Sequence, residues 1–195
     1  MDFSDELEVL RWIRSEFGKA DLEIRLDANG AWSAAEALEK MELLERLRIH
    51  SIEQPIAPGH LDEMAELCKK ASIPVALDEE LIGVWNRQER IKLLDQIRPA
   101  YLILKPGLLG GFSEATHWID LARFRRIGWW ITSALESNLG LNAIAQWTWQ
   151  QGVERPQGLG TGALYTNNIR SPLDMRGDQL WHRPDFTWDL KKAGW

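Results

Sequence analysis

The sequence lacks the features that indicate disulfide bonding, membrane insertion or secretion. Cys68 is its one cysteine, so no disulfide can form within the chain. No apolar run approaches the roughly 20 residues that a membrane-spanning helix needs. The acidic segment Met1–Leu10 does not resemble a signal peptide. We therefore expect a reducing, cytoplasmic location and no membrane partner.

An excess of positive charge is also absent. The chain carries 29 acidic and 23 basic residues, for a net charge of −6, and its lysines and arginines form no stripe. This balance argues against nucleic acid as a partner. With 195 residues, 45% of them hydrophobic, the chain is long enough for one domain with a real core.

Short apolar runs alternate with helical patterns along the chain. The predicted strands are Leu22–Leu26, His50–Ile52, Val75–Leu77, Tyr101–Leu104 and Trp129–Ile131, with a very short one near Gly158–Gly162. Ser4 and Ser113 are predicted N-caps, and Ser33 with Glu36 forms a predicted capping box. This alternation predicts an α/β fold with a parallel sheet. A doubly wound open sheet and a closed eight-stranded barrel both fit it.

Ionisable residues stand where four successive strands end. Three are carboxylates, Asp27, Glu53 and Asp78, and the fourth is Lys105 in Leu104-Lys-Pro106. They are nearly evenly spaced, one strand and one helix apart. Ionisable groups at the carboxyl ends of parallel strands favour the barrel, whose active sites lie there. Only six strand ends can be counted, however, and a barrel needs eight, so two strands are missing at the front.

Three carboxylates on adjacent strands can converge on one hard cation, and we predict Mg²⁺ or Mn²⁺. Such an ion can accept a substrate carboxylate and stabilise the enediolate that forms when the neighbouring carbon loses its proton. Lys105 would then act either as the proton acceptor or as a cation that steadies the enolate.

Each of these residues also has a simpler explanation. Asp27 precedes Asn29-Gly30 and could serve turn formation alone. Glu53 could be an ordinary loop residue, and Asp78 could be an acidic residue at a helix N-terminus. Four such residues at regular spacing are much less easily explained by coincidence.

Several motifs resemble the strand ends of the enolase superfamily, in its muconate-lactonising-like branch. They are Arg25-Leu-Asp-Ala-Asn-Gly-Ala-Trp32, Ser51-Ile-Glu-Gln-Pro55, Leu77-Asp-Glu-Glu80 and Leu104-Lys-Pro106. Two later stretches, Thr132–Gln146 and Gly158–Asn168, resemble o-succinylbenzoate synthases. The resemblance implies a lyase that dehydrates a cyclohexadiene carboxylate in menaquinone biosynthesis.

The same resemblance implies roles for individual residues. Asp27, Glu53 and Asp78 would be the metal ligands, and Lys105 one of two active-site lysines. The remaining roles are partners that orient the ligands, Asn29 and Glu79, and groups that hold the substrate's second carboxylate, Ser133, Gly160 and Gly162. The implied partner is therefore a small-molecule carboxylate, although Gly158–Gly162 is also typical of a plain tight turn.

The sequence departs from the family pattern in two places. The second lysine of the family lies in a Lys-x-Lys motif, and this chain has none. Met1-Asp-Phe3 resembles the residues directly after that motif in the family, which indicates a chain truncated at its N-terminus. We therefore expect an incomplete (β/α)8 TIM-like barrel that lacks its first two strands and its N-terminal capping domain.

This interpretation also sets the predicted domain organisation. Residues 1–175 would form the partial barrel, and residues 176–195 a tail that would normally pack on the capping domain. Open sheet edges would favour self-association. Without the second lysine, we expect the chain alone to turn over little or no substrate.

Two other functions remain open at this point. The first is an N-acylamino-acid racemase or dipeptide epimerase of the same superfamily, although Gly158–Gly162 carries no acidic residue of the kind the epimerase uses. The second is a non-catalytic remnant, or a half-barrel module that assembles with a separate front half.

Overall fold

The computed structural model describes residues 2–162 and 164–189. Helices and short strands alternate along most of this range, as the sequence predicts. The helices are α1 (Phe3–Glu16), α2 (Ala34–Leu44), α3 (Leu61–Lys70), α4 (Arg87–Ile97), α5 (Phe112–Arg125) and α6 (Asn138–Gln150). The strands are β1 (Arg25–Asp27), β2 (Ser51–Glu53), β3 (Val75–Leu77), β4 (Tyr101–Leu104), β5 (Gly128–Ile131), β6 (Leu173–Arg176) and β7 (Gln179–His182). Single 3₁₀ turns follow α2 and β3, at Glu45–Leu47 and Glu79–Leu81.

Strands β1 to β5 form one sheet, in the same order as in the sequence. The first three pairings are parallel, with Asp27 opposite Glu53 and Glu53 opposite Ala76. A sheet in sequence order with a helix after each strand is the pattern of a (β/α) barrel, whereas a doubly wound sheet reverses its order. The predicted α/β fold is confirmed, and the barrel alternative is favoured over the open sheet.

The chain divides into two compact units. The first comprises residues 2–103 and 121–128, and the second comprises residues 104–120 and the described part of 129–189. In the first unit, the buried apolar side chains come from helices and strands alike, among them Met41, Leu44, Ile52, Met64, Leu67 and Leu77. In the second they include Leu104, Leu109, Trp118, Ile131, Leu141 and Ile144.

Helix capping follows the predictions in part. At α2, Ser33 Oγ accepts the Glu36 N–H, and Glu36 accepts from the Ser33 N–H, so the predicted capping box is confirmed. At α1 the cap is Asp2, which accepts from Ser4 and Asp5, so the prediction of Ser4 as the N-cap is wrong. Aspartate is a strong N-cap, and starting there lengthens the helix at its N-terminus.

The N-cap predicted for α5 is also wrong. Ser113 lies inside α5, which begins one residue earlier at Phe112. The Gly111 carbonyl accepts the Ala115 N–H at 3.1 Å, so the first helical hydrogen bond starts two residues before Ser113.

The second unit ends in structure that the sequence pattern did not predict. Strands β6 and β7 form an antiparallel hairpin in which Arg176 pairs with Gln179 across a two-residue loop. Gly177 in that loop has φ of +62°, a conformation that glycine adopts readily. The sequence analysis predicts no strand after Gly158–Gly162 and only a tail from residue 176. Part of the predicted tail, residues 190–195, lies outside the described residues.

Near Gly158 the second unit has a single parallel bridge to Thr132 rather than a strand. The predicted sixth strand is thus present as one residue pair. None of the helices within residues 2–162 and 164–189 is long and apolar enough to cross a membrane.

Candidate active site

Two of the predicted metal ligands lie side by side at the carboxyl ends of the first two strands. Asp27 ends β1 and Glu53 ends β2, and their Cα atoms are partners in the parallel register. The side chain of Asp27 is exposed, and that of Glu53 is half-buried. Because both strands run in the same direction, both carboxylates emerge at the same edge of the sheet.

The exit turn of β1 contains its own hydrogen bonds. Asp27 Oδ1 accepts the Asn29 N–H at 2.9 Å, and Asn29 has a left-handed φ of 47°. The turn role that the sequence allowed for Asp27 is therefore real. Its other carboxylate oxygen, Oδ2, is not part of that bond, so the turn role does not exclude a ligand role.

Asp78 directly follows β3 and is 2% exposed. Its N–H donates to Gln54 Oε1 at 3.1 Å, and its carbonyl accepts from Leu81 in the 3₁₀ turn. Glu79, the predicted orienting partner, begins that turn and is half-buried. All three carboxylates thus stand at or just beyond strand ends in the first unit.

The three carboxylates suit a hard cation by donor type and by strand position. However, the described residues contain no group of three or more His, Cys, Asp or Glu side chains already gathered to hold a metal ion. The parallel register of β1 to β3 sets the order in which the three carboxylates stand along the sheet edge.

Lys105 lies in the second unit, directly after β4, and is half-buried. Its carbonyl accepts the N–H groups of Leu108 and Leu109, at 2.8 and 3.1 Å. These bonds, with Pro106, turn the chain sharply after the strand. The backbone of Lys105, at the end of the buried strand β4, is thereby held in a hydrogen-bonded turn.

Ser133 follows β5 and is only 5% exposed. Its N–H donates to the Gly158 carbonyl at 3.0 Å. Its Oγ accepts from Thr161 Oγ1 at 2.7 Å and from the Leu135 N–H at 2.9 Å. Ser133 is thus fixed against the glycine-rich turn, and Thr161 is a partner that the sequence did not single out.

The glycines of that turn differ in their surroundings. A Cβ on Gly158 would lie 2.7 Å from Thr132 Cβ, and one on Gly162 would lie 2.8 Å from Leu141 Cδ2. Gly160 is exposed, with only Met175 Cε near, at 3.9 Å. Close packing against Thr132 therefore explains glycine at 158. At 162 the contact is the end of the Leu141 side chain, which a small shift would relieve, and Gly160 has no packing reason.

Glu136 is a candidate that the sequence analysis missed. Its Oε2 accepts the Ala134 N–H at 2.9 Å. Its Oε1 is buried and has no hydrogen-bond partner among the described residues. A Cβ on Gly107 would lie 2.9 Å from that oxygen, so the carboxylate rests against the turn after Lys105. Its position three residues after Ser133, in Ser133-Ala-Leu-Glu136, was the available signal.

A known protein family matches most of this chain. The family described as enolase C-terminal domain-like matches residues 1–167, a range that includes every predicted site residue. The chain belongs to this family. The expected resemblance to the enolase superfamily is confirmed.

Two named proteins are similar in sequence to this enolase-family chain. It is 55% identical over 180 residues to an o-succinylbenzoate synthase of Desulfotalea psychrophila, covering 92% of this chain and 49% of that protein. It is 35% identical over 135 residues to an N-succinylamino acid racemase of Thermus thermophilus, covering 69% and 35%. The chain thus spans about half the length of these relatives, or less.

Solved structures also match this chain, again over about half of their own length. The crystal structure of MenC from Desulfotalea psychrophila matches with a TM-score of 0.88 and 55% identity, over 92% of this chain and 50% of that one. Muconate lactonizing enzyme from Pseudomonas putida matches all of this chain and 55% of its own, with a TM-score of 0.82 and 22% identity. The second likeness shows the fold alone. An α/β fold that matches about half of each structure confirms the predicted incomplete barrel.

Proposed function

We propose that this chain supplies the metal ligands and one active-site lysine of an o-succinylbenzoate synthase. The reaction would be dehydration of a cyclohexadiene carboxylate to o-succinylbenzoate, a carbon–oxygen lyase step in menaquinone biosynthesis. The observation that carries the proposal is 55% identity to a named synthase over 92% of this chain. The strand-end positions of Asp27, Glu53 and Asp78 support it.

Asp27, Glu53 and Asp78 would hold Mg²⁺ or Mn²⁺, and Asn29 and Glu79 would orient them. The bound cation would polarise the substrate carboxylate and so make the neighbouring carbon more acidic. The register of Asp27 and Glu53 supports this assignment, because it fixes two of the three donors at one sheet edge.

Ser133, Gly160 and Gly162 would hold the second carboxylate of the substrate. The hydroxyl of Ser133 accepts two hydrogen bonds, from Thr161 and Leu135, which leaves its own proton to donate. A buried hydroxyl held in this way is suited to bind an anionic oxygen. Gly160, exposed and without a packing role, would offer close access to the backbone.

Lys105 would stabilise the enolate by its charge while a second lysine removes the proton. No Lys-x-Lys sequence exists in the chain. Since a positioned acid–base group contributes about 10²–10⁴-fold in rate, we expect little or no turnover by the chain alone. A cytoplasmic location would suit such an enzyme.

Racemisation of N-succinylamino acids is the second candidate, because one relative with that name is 35% identical to this chain. That reaction needs proton transfer on both faces of the substrate carbon. Like the synthase, it would depend on a lysine that this sequence does not contain.

A complementation experiment tests the proposal. The 195-residue chain is mixed with the N-terminal half of the Desulfotalea psychrophila relative, and both reactions are assayed. We expect synthase activity in the mixture, near-zero activity in either part alone, and loss of activity with Lys105→Ala. Lys69→Ala, at an exposed position on α3, is the matched control and should retain activity.

The outcomes separate the candidates. Racemase activity without synthase activity would favour the second function. A stable complex that catalyses neither reaction would favour a non-catalytic assembly module and overturn the enzymatic proposal.

A further inference from the structure

Gln54, between Glu53 and Pro55, has an unusual backbone conformation. Its φ is +37°, in the left-handed region that few side chains adopt, and it precedes a proline, which disfavours helical backbone angles. The residue is also fully buried. Such a conformation persists only where the surrounding structure fixes it.

The side chain of Gln54 provides that fixing. Its Nε2 donates to the Ile56 carbonyl at 3.0 Å and to Glu80 Oε2 at 3.1 Å. Its Oε1 accepts the N–H groups of Asp78 and Glu80, at 3.1 and 3.3 Å. Both donors and both acceptor positions of the amide are therefore used.

Glu80 is the second half of this buried network. It is 5% exposed, and its two carboxylate oxygens have different partners. Oε2 accepts from Gln54, and Oε1 accepts the Gly59 N–H at 2.8 Å. Glu80, which follows β3, thus holds the loop that follows β2. We call Gln54 and Glu80 together the buried brace.

The backbone of Gln54 extends the connection to both neighbouring strands. Its N–H donates to the Ala76 carbonyl at 2.9 Å, and its carbonyl accepts the Gly30 N–H at 2.6 Å. The exit turns of β1, β2 and β3 are therefore all bonded to this one residue. Those are the turns that carry Asp27, Glu53 and Asp78.

We propose that Gln54 and Glu80 are positioning residues for the metal-binding carboxylates, because the buried brace locks the three exit turns into one register. The inference rests on the proposed function of Asp27, Glu53 and Asp78 as metal ligands. Residues that orient metal ligands typically matter about 10–100-fold in metal affinity.

The test compares Mn²⁺ binding with local backbone order in the full chain. Bound Mn²⁺ is measured by electron paramagnetic resonance, and amide exchange is followed at Gly30, Gly59, Asp78 and Glu80, so that each of the three exit turns is probed. The first variant, Gln54→Leu, removes all four side-chain hydrogen bonds of Gln54. The second, Glu80→Gln, keeps the size and shape of the side chain but replaces one acceptor oxygen with an NH2 group. Leu67→Ala, in the core at α3, is the control for lost stability because Leu67 contacts no exit turn through a hydrogen bond in the described structure.

We expect Gln54→Leu to lose exchange protection at Asp78 and Glu80, and Glu80→Gln to lose it at Gly59. Both variants should bind Mn²⁺ at least about tenfold more weakly. Leu67→Ala should stay within about twofold of the wild type, even at a similar melting temperature. The double variant Gln54→Glu/Glu80→Gln restores one hydrogen bond between the two side chains. It should recover part of the affinity.

Two results would overturn the inference: protection that survives in Gln54→Leu, or protection that is lost while Mn²⁺ affinity stays unchanged. Failure of the wild type to bind Mn²⁺ would instead overturn the proposed metal site. In that case the exchange measurements alone decide whether the buried brace orders the three turns.

Discussion

Burial alters the chemistry of Cys68, the one thiol in the chain. It lies on α3, and burial raises the pKa of its thiol to about 12. Since the thiolate is the reactive form and an unperturbed cysteine has a pKa of about 8.5, little thiolate exists near neutral pH. We expect the folded chain to react with a thiol reagent near pH 8 about a thousandfold more slowly than the unfolded chain. Stopped-flow labelling with and without guanidinium chloride measures this ratio.

The same pKa shift has a consequence for stability. The folded state holds the thiol proton more tightly, so this contribution is complete below about pH 8.5 and is lost as the pH rises toward 12. The difference in free energy of unfolding between the wild type and Cys68→Ala should therefore change with pH only above about pH 8.5. Equal labelling rates in the folded and unfolded chain would show that the thiol is not shielded.

At the level of elements, the start of α2 depends on the capping box of Ser33 and Glu36. Hydrogen bonds from the Ser33 hydroxyl and N–H hold the pKa of Glu36 below its usual value. We expect Ser33→Ala to lower the free energy of unfolding by about 1 kcal/mol near neutral pH. Urea denaturation measures the difference.

The sign of the pH dependence follows from the lowered pKa of Glu36. The contribution of its carboxylate is present above its usual pKa and is lost as the pH falls through the lower value in the folded state. The cost of Ser33→Ala should therefore shrink in acid. Ser15→Ala, at an exposed position on α1, is the control and should be nearly neutral at every pH.

The single bridge near Gly158 gives a second element-scale prediction. A side chain at 158 would collide with Thr132, whereas position 160 has space. We expect Gly158→Ala to destabilise the chain by about 1–3 kcal/mol, and Gly160→Ala to cost well under about 1 kcal/mol. Thermal unfolding of the two variants provides the comparison. A similar loss in both would mean that backbone freedom, and not the contact with Thr132, requires glycine here.

At the scale of the molecule, β1 stands first in the sheet order. Beside it, within the first unit, lies a cavity of about 270 Å³ lined largely by apolar groups, with Phe3, Leu10, Leu26 and Ile52 among them. An edge strand next to apolar surface favours pairing with another chain. We expect concentration-dependent self-association, which sedimentation velocity can measure.

Charge at the edge should oppose that association. Leu26→Lys places a cation on β1, as natural edge strands do, and should shift the chain toward the monomer. Leu43→Lys makes the same change at an exposed site on α2 and should have little effect. If both variants associate as the wild type does, the interface does not involve this edge.

Part of the fold and site could be predicted because the signals are local. Val75–Leu77 and Tyr101–Leu104 are apolar runs between clear breaks, and the structure has the same bounds. Asp27 and Glu53 were expected at neighbouring strand ends, and they are register partners. The hairpin at Leu173–His182 also carried a local signal, Gly177-Asp178, but its strands do not alternate clearly between apolar and polar residues.

The remaining features depend on contacts between residues distant in sequence. Gln54 and Glu80 resemble ordinary loop residues, because their hydrogen bonds form only when adjacent strands bring them together. Glu136 becomes notable only when its oxygen is found buried against Gly107. Whether the cap of α1 is Asp2 or Ser4 likewise depended on where the helix begins in space.

The sequence by itself determined the alternation of strands and helices and the residues at the strand ends, because periodicity and turn-forming residues act over a few neighbours. It also indicated the family, through the resemblance of its strand-end motifs. Tertiary structure alone decided which buried polar groups meet and how the exit turns are held. Hydrogen bonds such as those of Gln54 are specified by distance and direction between chain segments, and no local pattern encodes either.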